Sequence, residues 1–272
     1  MGISICIASG KGGVGKTMLT ANLGLALSSH VKDVTILDAD LEMSNLEFFL
    51  GTETRRPTLQ DVLKGEVEVA EAKHRIYSGI NIIPAGINLD KFGDVDPQRL
   101  SPVFEELLKG TDILIIDSPP GLGEDVVVAL ASAHLVLLVI TPDLPSISGA
   151  LKIKIVAERI GTQVIGAVIN MTTSDVTEKA IYEMEQFLGT KVIASIPEDP
   201  NVRYSLLHSL PLLLNFQSTP LVIEIERLAL ELVGDDVSYT LVEQPISTRF
   251  TWGMSMGYKS EFGGMVYSSD MY

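Results

Sequence analysis

The chain has 272 residues, of which 46% are hydrophobic and 20% are charged, and its formal net charge is −15. This length is enough for one large domain with a substantial core, and the hydrophobic content excludes a disordered chain. The negative charge disfavours broad contact with a nucleic acid backbone, so we expect no nucleic acid partner. The single cysteine, Cys6, excludes a disulfide framework. We also expect no signal peptide, no membrane-spanning helix and a cytoplasmic location.

Short apolar segments alternate with helical segments along most of the chain. Seven segments predict buried strands, namely Ile3–Ala8, Val34–Leu37, Ile80–Ile83, Asp112–Asp117, Leu135–Ile140, Val164–Ile169 and Val192–Ile196. Five segments predict helices, namely Met18–Leu27, Pro97–Lys109, Ser146–Ile160, Asp175–Leu188 and Pro220–Val233. Because the strands are apolar throughout, they predict a mostly parallel sheet of about seven to eight strands, covered by helices on both faces. We expect this single α/β domain to span residues 1–233. Residues 210–214 are expected to lie in its core, and the alternative is an exposed apolar patch.

A glycine-rich segment lies between the first predicted strand and the first predicted helix. Strand, glycine-rich turn and helix are the context of a phosphate-binding loop, or P-loop. Backbone N–H groups of such a loop surround a phosphate, and the helix N-terminus adds a favourable dipole. We expect Lys16 to contact the β- and γ-phosphates of a nucleotide and the Thr17 hydroxyl to bind Mg²⁺. The predicted nucleotide-binding residues of this P-loop NTPase domain are Gly10, Lys11, Gly12, Gly13, Val14, Gly15, Lys16, Thr17 and Met18.

The P-loop contains a second lysine, Lys11, which an ordinary P-loop does not require. The K-G-G-V-G-K-T pattern of residues 11–17 resembles the deviant Walker A motif of the MinD/ParA family of dimerising ATPases, and the MinD branch most closely. In that family the first lysine contacts ATP bound to the partner subunit. The resemblance therefore implies an ATP-dependent homodimer in which Lys11 and Lys16 are catalytic. The alternative is a solvated surface lysine. Met18 departs from the family, which commonly has a second threonine there.

Carboxylates follow the ends of two predicted strands, where ligands bind in parallel sheets. Asp38 and Asp40 follow the second strand, and Asp117 ends the fourth strand in the manner of a Walker B motif. We expect Thr17, Asp38 and Asp117 to hold Mg²⁺, and the resemblance implies that Asp40 positions the attacking water. The alternative for the aspartates of the second strand is turn capping. The resemblance also implies two switch segments, one with Asp38, Asp40 and Asn45, the other with Asp117, Pro120 and Gly121.

Two further loops are candidates for the base pocket. Asn170 follows the sixth predicted strand, and its amide can pair with an adenine edge. The turn with Pro197, Glu198 and Asp199 follows the seventh strand and can pack on the ring. The resemblance implies adenine contacts for both, although asparagine and proline are also ordinary loop residues after strands. Since the chain has no N-K-x-D guanine motif, the expected cofactors are ATP and Mg²⁺.

Residues 234–272 form a Gly-, Met- and aromatic-rich C-terminal tail. It contains Arg249 and Lys259 against five acidic residues, so the basic amphipathic helix of bacterial MinD proteins is not visible. Seven of the sixteen aromatic residues of the chain lie here. Aromatic residues and methionine are enriched at binding surfaces, so we hypothesise that the tail docks on a partner or on the domain itself. The alternatives are peripheral membrane contact and an ordinary disordered terminus.

The leading interpretation is a MinD-like ATPase that dimerises on binding Mg-ATP and hydrolyses it slowly. It would act as a spatial or regulatory switch, in cell-division-site placement or related positioning, stimulated by an unknown protein partner. The first alternative is a regulatory ATPase that acts on a protein client without membrane binding. A metal-cluster carrier needs surface cysteine ligands that Cys6 cannot supply, and the net charge disfavours ParA-like DNA partitioning. A small-molecule kinase or ligase is also compatible with the fold.

Overall fold

The computed structural model describes residues 2–41, 43–53, 55–77, 79–86 and 100–234, and the predicted tail beyond Gly234 lies outside these ranges, as does the start of the helix predicted from Pro97. The strands are β1 (Ile3–Ala8), β2 (Val34–Asp38), β3 (His74–Tyr77), β4 (Ile80–Ile83), β5 (Ile113–Asp117), β6 (Leu135–Ile140), β7 (Gln163–Thr172) and β8 (Val192–Pro197). The helices are α1 (Lys16–Leu27), α2 (Leu46–Leu50), α3 (Leu59–Lys64), α4 (Val69–Ala72), α5 (Leu100–Lys109), α6 (Glu124–Ala131), α7 (Leu144–Ile160), α8 (Glu178–Leu188), α9 (Asn201–His208), α10 (Leu212–Asn215) and α11 (Pro220–Val233).

The strands form one eight-stranded sheet in the order β3-β4-β2-β5-β1-β6-β7-β8. Every neighbouring pair is parallel except β3 and β4, which are antiparallel at one edge. The predicted sheet is therefore confirmed in size and direction. The edge strand β3 was not predicted, because its His-Arg-Ile-Tyr sequence is neither continuously apolar nor strictly alternating.

Two hydrophobic clusters lie on opposite faces of the sheet, which confirms that helices cover both faces. Successive side chains of a strand point to opposite faces, so Ile5 and Ile7 of β1 join one cluster while Cys6 and Ala8 join the other. The first cluster includes buried residues of α1 and α11. The second includes Phe104 of α5 and buried residues of α6 and α7. The sheet is thus the central layer of a three-layer domain.

The apolar segment 210–214 is only partly in the core. Leu212 and Leu213 are buried, whereas Leu210 and Leu214 are 36% and 45% exposed. The segment overlaps α10, a single helical turn, and one turn cannot direct five consecutive side chains to the same side. The expectation that the whole segment is core was therefore wrong for Leu210 and Leu214. A hydrogen bond from the Leu213 N–H to Asn22 Oδ1, at 3.0 Å, attaches the turn to α1.

The order of the strands places β1 between β5 and β6, with β2 on the other side of β5. The parallel strands β1, β2 and β5 therefore end at the same edge of the sheet, and Asp38 and Asp117 are directly opposite each other in the register of β2 and β5. The segment after β1 leads into α1 at this edge. This arrangement brings together residues that are far apart in the sequence.

Candidate nucleotide-binding site

The P-loop, residues 9–17, has a backbone that only glycine accommodates at key positions. Gly15 has a φ of 87°, in the left-handed region, and a Cβ there would lie 2.1 Å from the amide nitrogen of Asn170. A Cβ on Gly10 would lie 2.2 Å from the carbonyl carbon of Gly149 in α7. The loop therefore packs against β7 and α7 through glycines, and it ends at the N-terminus of α1, which begins at Lys16.

Lys16 and Asp117 form a buried ion pair beneath the P-loop. Lys16 Nζ lies 3.8 Å from Asp117 Oδ1, and both side chains are less than a tenth exposed. The hydroxyl of Thr20 donates to the same oxygen at 3.1 Å, and the Thr17 hydroxyl also interacts with this carboxylate. Burial raises the pKa of Asp117 above its usual value, while Lys16 and the two hydroxyls act in the opposite direction.

Asp38 lies next to Asp117 and is held by two donors of its own. Its Oδ2 accepts a hydrogen bond from the Ser44 hydroxyl at 2.7 Å, and its Oδ1 accepts one from the Asp40 N–H at 3.0 Å. Burial, followed by repulsion from Asp117, raises the pKa of Asp38 to about 8. A cation close to this pair of carboxylates would offset both effects.

The donor set at this edge fits a magnesium ion that keeps some non-protein ligands. It consists of oxygens only, from the hydroxyl of Thr17 and the carboxylates of Asp38 and Asp117, and Mg²⁺ prefers oxygen ligands. Within the described ranges no group of three or more His, Cys, Asp or Glu side chains is arranged to hold a metal by itself. Mg²⁺ at nucleotide sites is usually completed by phosphate oxygens and water, so this set is sufficient.

A cleft of about 760 Å³ opens above these buried groups. Its lining brings together most of the predicted site residues, namely Lys11, Gly12, Gly13, Val14, Gly15, Lys16, Thr17, Met18, Asp40, Asn45, Pro120, Asn170, Pro197, Glu198 and Asp199. Asp38 and Asp117 lie beneath it, and Gly121 instead donates its N–H to Ser9 O at 3.1 Å. Met43, Phe49, Met171 and Arg203 also line the cleft but were not predicted. All four lie within four positions of predicted residues, which is the one signal that could have indicated them.

Asn170 and Asp40 both have hydrogen-bond partners within the chain. The buried Asn170 donates from Nδ2 to Val14 O at 2.8 Å, so its amide nitrogen supports the P-loop. Asp40 accepts a hydrogen bond from the Met43 N–H at 3.0 Å, as expected for a turn-capping residue. Both side chains also line the cleft, and their predicted roles toward adenine and water stay predictions.

Lys11 lies at the mouth of the cleft and is paired within its own chain. Its Nζ is 3.2 Å from both carboxylate oxygens of Asp143, and both side chains are more than a third exposed. Asp143 also caps α7, since its Oδ1 accepts a hydrogen bond from the Ser146 N–H at 3.0 Å. Hydrogen bonds from Thr141 above all, and from Ser146 and Lys11, lower the pKa of Asp143. Sequence analysis did not identify this partner, which is 132 residues away.

The family model for the CobQ/CobB/MinD/ParA nucleotide-binding domain matches residues 5–212, which is most of the chain. The chain belongs to this family. The predicted resemblance is thereby confirmed. Within the residues that the structure describes, no helix is both long enough and hydrophobic enough to cross a bilayer.

Relatives and solved structures agree with this assignment over nearly the whole domain. The septum site-determining protein MinD of Thermotoga maritima is 34% identical over 246 residues, 87% of this chain and 90% of that protein. An uncharacterized ATP-binding protein of Methanocaldococcus jannaschii is 40% identical over 234 residues, 86% and 89% of the two chains. The structure of MinD from Pyrococcus horikoshii complexed with Mg-ADP superposes with a TM-score of 0.79 at 29% identity, covering 90% of this chain and 100% of that one.

Proposed function

We propose that this chain is a MinD-like ATPase that binds Mg-ATP in the cleft, dimerises in that state and hydrolyses the nucleotide slowly. The observation that carries the proposal is the placement of the Lys16–Asp117 ion pair and Thr17 together under a glycine-rich loop, with a second lysine at the mouth. The description of the Pyrococcus horikoshii relative as a complex with Mg-ADP supports the same ligands here. Slow hydrolysis and dimerisation make the protein a switch.

In this proposal the groups under the P-loop bind the phosphates and the metal. Mg²⁺ supplies positive charge that offsets the charge of the phosphate oxygens. Thr17, Asp38 and Asp117 would hold the ion, and Lys16 would exchange its contact with Asp117 for one with the phosphates. Phosphoryl transfer depends on positioning and charge neutralisation more than on covalent chemistry, so these contacts supply most of what the reaction needs.

Asp40 orients the attacking water in the proposed reaction. Its carboxylate lines the cleft, and its hydrogen bond from the Met43 N–H fixes one of its oxygens. A carboxylate held in this way can accept a hydrogen bond from a water molecule with its second oxygen. Because Asp38 and Asp117 lie beneath the cleft floor, Asp40 is the aspartate of the three that reaches the open volume.

Lys11 acts on the nucleotide of a second copy of the chain. Its ion pair with Asp143 is exposed, and exposed pairs contribute only about 0–1 kcal/mol. Such a pair can be exchanged for a contact with a partner's phosphates at little cost. A cation supplied in trans is absent until two chains meet, so hydrolysis is coupled to dimerisation.

The test is the variant Lys11→Ala, analysed by size-exclusion chromatography with light scattering and by ATP turnover. We expect it to bind ATP as the wild type does, because Lys16 and the P-loop backbone are intact, and to lose ATP-dependent dimers and most turnover. The matched control is Lys16→Ala, which should lose nucleotide binding itself. A Lys11→Ala protein with full dimers and full turnover would contradict the proposal.

The cellular role that we propose is spatial or regulatory, exerted through a protein partner. The MinD of Aquifex aeolicus, 28% identical with a TM-score of 0.77, is described in a MinC:MinD cell division protein complex, and this supports a protein partner here. A metal-cluster carrier is disfavoured because Cys6 is completely buried and burial raises the pKa of its thiol to about 12. Action on a client without membrane contact stays as the second proposal, since the tail carries few basic residues.

A further inference from the structure

Thr20 lies in α1, and its buried hydroxyl points toward Asp117 at the end of β5. Its side chain is completely buried, and its Oγ1 donates to Asp117 Oδ1 at 3.1 Å. A threonine hydroxyl inside a helix often bonds to the carbonyl oxygen one turn earlier. Here it bonds instead to the carboxylate at the end of a different element. Thr20 does not line the cleft, so its hydroxyl is not a ligand contact.

The other donors to Asp117 are the groups that the nucleotide engages. Lys16 Nζ lies 3.8 Å from the carboxylate, and the Thr17 hydroxyl interacts with it. In the proposed function both turn to the phosphates and the metal. The hydroxyl of Thr20 does not exchange its bond for a ligand contact, because it is buried and does not line the cleft. We propose that Thr20 is a positioning residue that keeps the Asp117 carboxylate in its metal-binding orientation when Lys16 and Thr17 bind the ligand.

The carboxylate of Asp38, next to Asp117, makes the hydrogen bond from Thr20 to Asp117 important. Asp38 lies opposite Asp117 in the register of two adjacent strands, and its own hydroxyl donor is Ser44, at 2.7 Å. Each aspartate of the pair is thus held by a separate hydroxyl. Without Thr20, Asp117 keeps only donors that the ligand also needs, so its carboxylate is free to rotate away from the metal-binding orientation. The cost should fall on metal binding, with little effect on the phosphate contacts.

The experiment measures the affinity for a fluorescent ADP analogue with and without Mg²⁺, in the full chain. This inference rests on the proposed function. For Thr20→Val we expect affinity without Mg²⁺ to stay within about twofold of the wild type. We expect the gain in affinity on adding Mg²⁺ to fall about tenfold, as for loss of a hydrogen bond to a charged group. Thr20→Ser should restore the gain, because it restores the hydroxyl.

Thr35→Val is the matched control, since Thr35 is a buried threonine in β2 whose hydroxyl bonds to Thr111, away from the site. It should leave the magnesium-dependent gain unchanged. Two results overturn the inference. One is a Thr20→Val protein whose affinity rises on adding Mg²⁺ as much as that of the wild type. The other is an equal loss of affinity with and without Mg²⁺, which would assign Thr20 a merely structural role. If Thr20→Val does not fold, Thr20→Ala is measured against the same criteria. If the wild-type protein binds no nucleotide, the proposed function fails and the inference fails with it. If the wild type binds but Thr20→Val shows no loss specific to Mg²⁺, only the inference fails.

Discussion

At the scale of single residues, the ion pair with Asp143 holds the Lys11 side chain against its own chain. The pair therefore limits the availability of Lys11 for a contact with a second copy. Asp143 serves both as the partner of Lys11 and as the N-cap of α7. These two tasks can be separated, because asparagine is as good an N-cap as aspartate but carries no charge. The pair therefore offers a way to change the availability of Lys11 without changing the P-loop.

We predict that Asp143→Asn dimerises with ATP at a protein concentration up to about thirtyfold lower than the wild type does. The physical reason is that two exposed pairs, one in each subunit and each worth up to about 1 kcal/mol, no longer compete with the two contacts in trans. Sedimentation velocity over a range of protein concentrations measures the effect. Asp143→Ala is the control for the N-cap of α7. This variant loses the cap as well as the ion pair, and the loss of the cap should lower the free energy of unfolding by about 0.5–2 kcal/mol. Weaker dimerisation in Asp143→Asn would show that the pair assists dimer formation.

Gly15 and Gly161 allow backbone strain to be separated from steric overlap. Both have a φ of 87°, but a Cβ on Gly15 would lie 2.1 Å from Asn170 Nδ2, whereas a Cβ on Gly161 would have no neighbour within 4 Å. We predict that Gly161→Ala lowers the free energy of unfolding by about 1–2 kcal/mol and leaves nucleotide binding unchanged. Gly15→Ala should be more destabilised and should also bind nucleotide at least about tenfold more weakly, since Asn170 loses its bond to Val14 O. Chemical denaturation and fluorescence titration measure the two effects, and equal binding by both variants would contradict this explanation.

At the scale of elements, α2 contains a buried acidic residue whose charge should make stability depend on pH. Glu47 is only 6% exposed, and its Oε1 accepts a hydrogen bond from the Arg55 N–H at 3.2 Å. Burial raises the pKa of Glu47 above its ordinary value of 4.5, with the Arg55 N–H and His74 acting in the opposite direction. A raised folded-state pKa means that the contribution of the group to stability is greatest below pH 4.5 and is lost as the pH rises through the folded pKa.

We therefore predict that Glu47→Gln gains stability relative to the wild type as the pH is raised from 5 to 8. The glutamine has nearly the same shape and can still accept the hydrogen bond, but it does not ionise. Thermal unfolding of both proteins across this range measures the difference in Tm. The surface variant Glu183→Gln is the control, because its ion pair with Lys179 is highly exposed and should contribute little at any pH. A difference that shrinks with rising pH would contradict the sign argued here.

The elements that could be predicted are those with an unambiguous local pattern. The apolar strands of the parallel sheet and the long helices α7, α8 and α11 were all identified from the sequence. Helix α6 was missed because its Val126-Val127-Val128 run has low helix propensity, and packing of Val126 in the core overrides that preference. The short helices α2, α3, α4, α9 and α10 have too few residues for a periodic pattern to be recognised.

The candidate site was predictable as far as it depends on motifs at strand ends. The placement of Lys16 beside Asp117, and of Asp40 and Asn170 on one cleft, follows from parallel strands ending at the same edge of the sheet. The Lys11–Asp143 pair and the bond from Thr20 were out of reach, because each depends on which way one side chain points. No local sequence pattern encodes that choice between residues about a hundred positions apart.

At the scale of the whole molecule, α11 completes the described domain. It lies on the same face of the sheet as α1, with Leu221, Ile225 and Leu228 in the shared hydrophobic cluster. The Thr219 hydroxyl caps its N-terminus by accepting from the Val222 N–H, and Arg227 bonds to Ile193 O in β8. The helix ends at Val233, immediately before the predicted tail. Helix α11 is therefore the last element of the core in the part of the chain that the structure describes.

We predict that a chain cut after Gly234 keeps its Tm within about 2 °C of the full-length protein, since about 1 kcal/mol shifts a domain of this size by 2–4 °C. It should also bind the ADP analogue with unchanged affinity, because the described residues that line the cleft lie within 9–221. A cut after Thr219, which removes α11 as well, exposes much of one face of the core and should leave the protein unfolded. Thermal unfolding and nucleotide titration of both truncated chains measure this. A large loss of stability on removing residues 235–272 alone would mean that the tail packs on the domain, and the division at residue 233 would then be wrong.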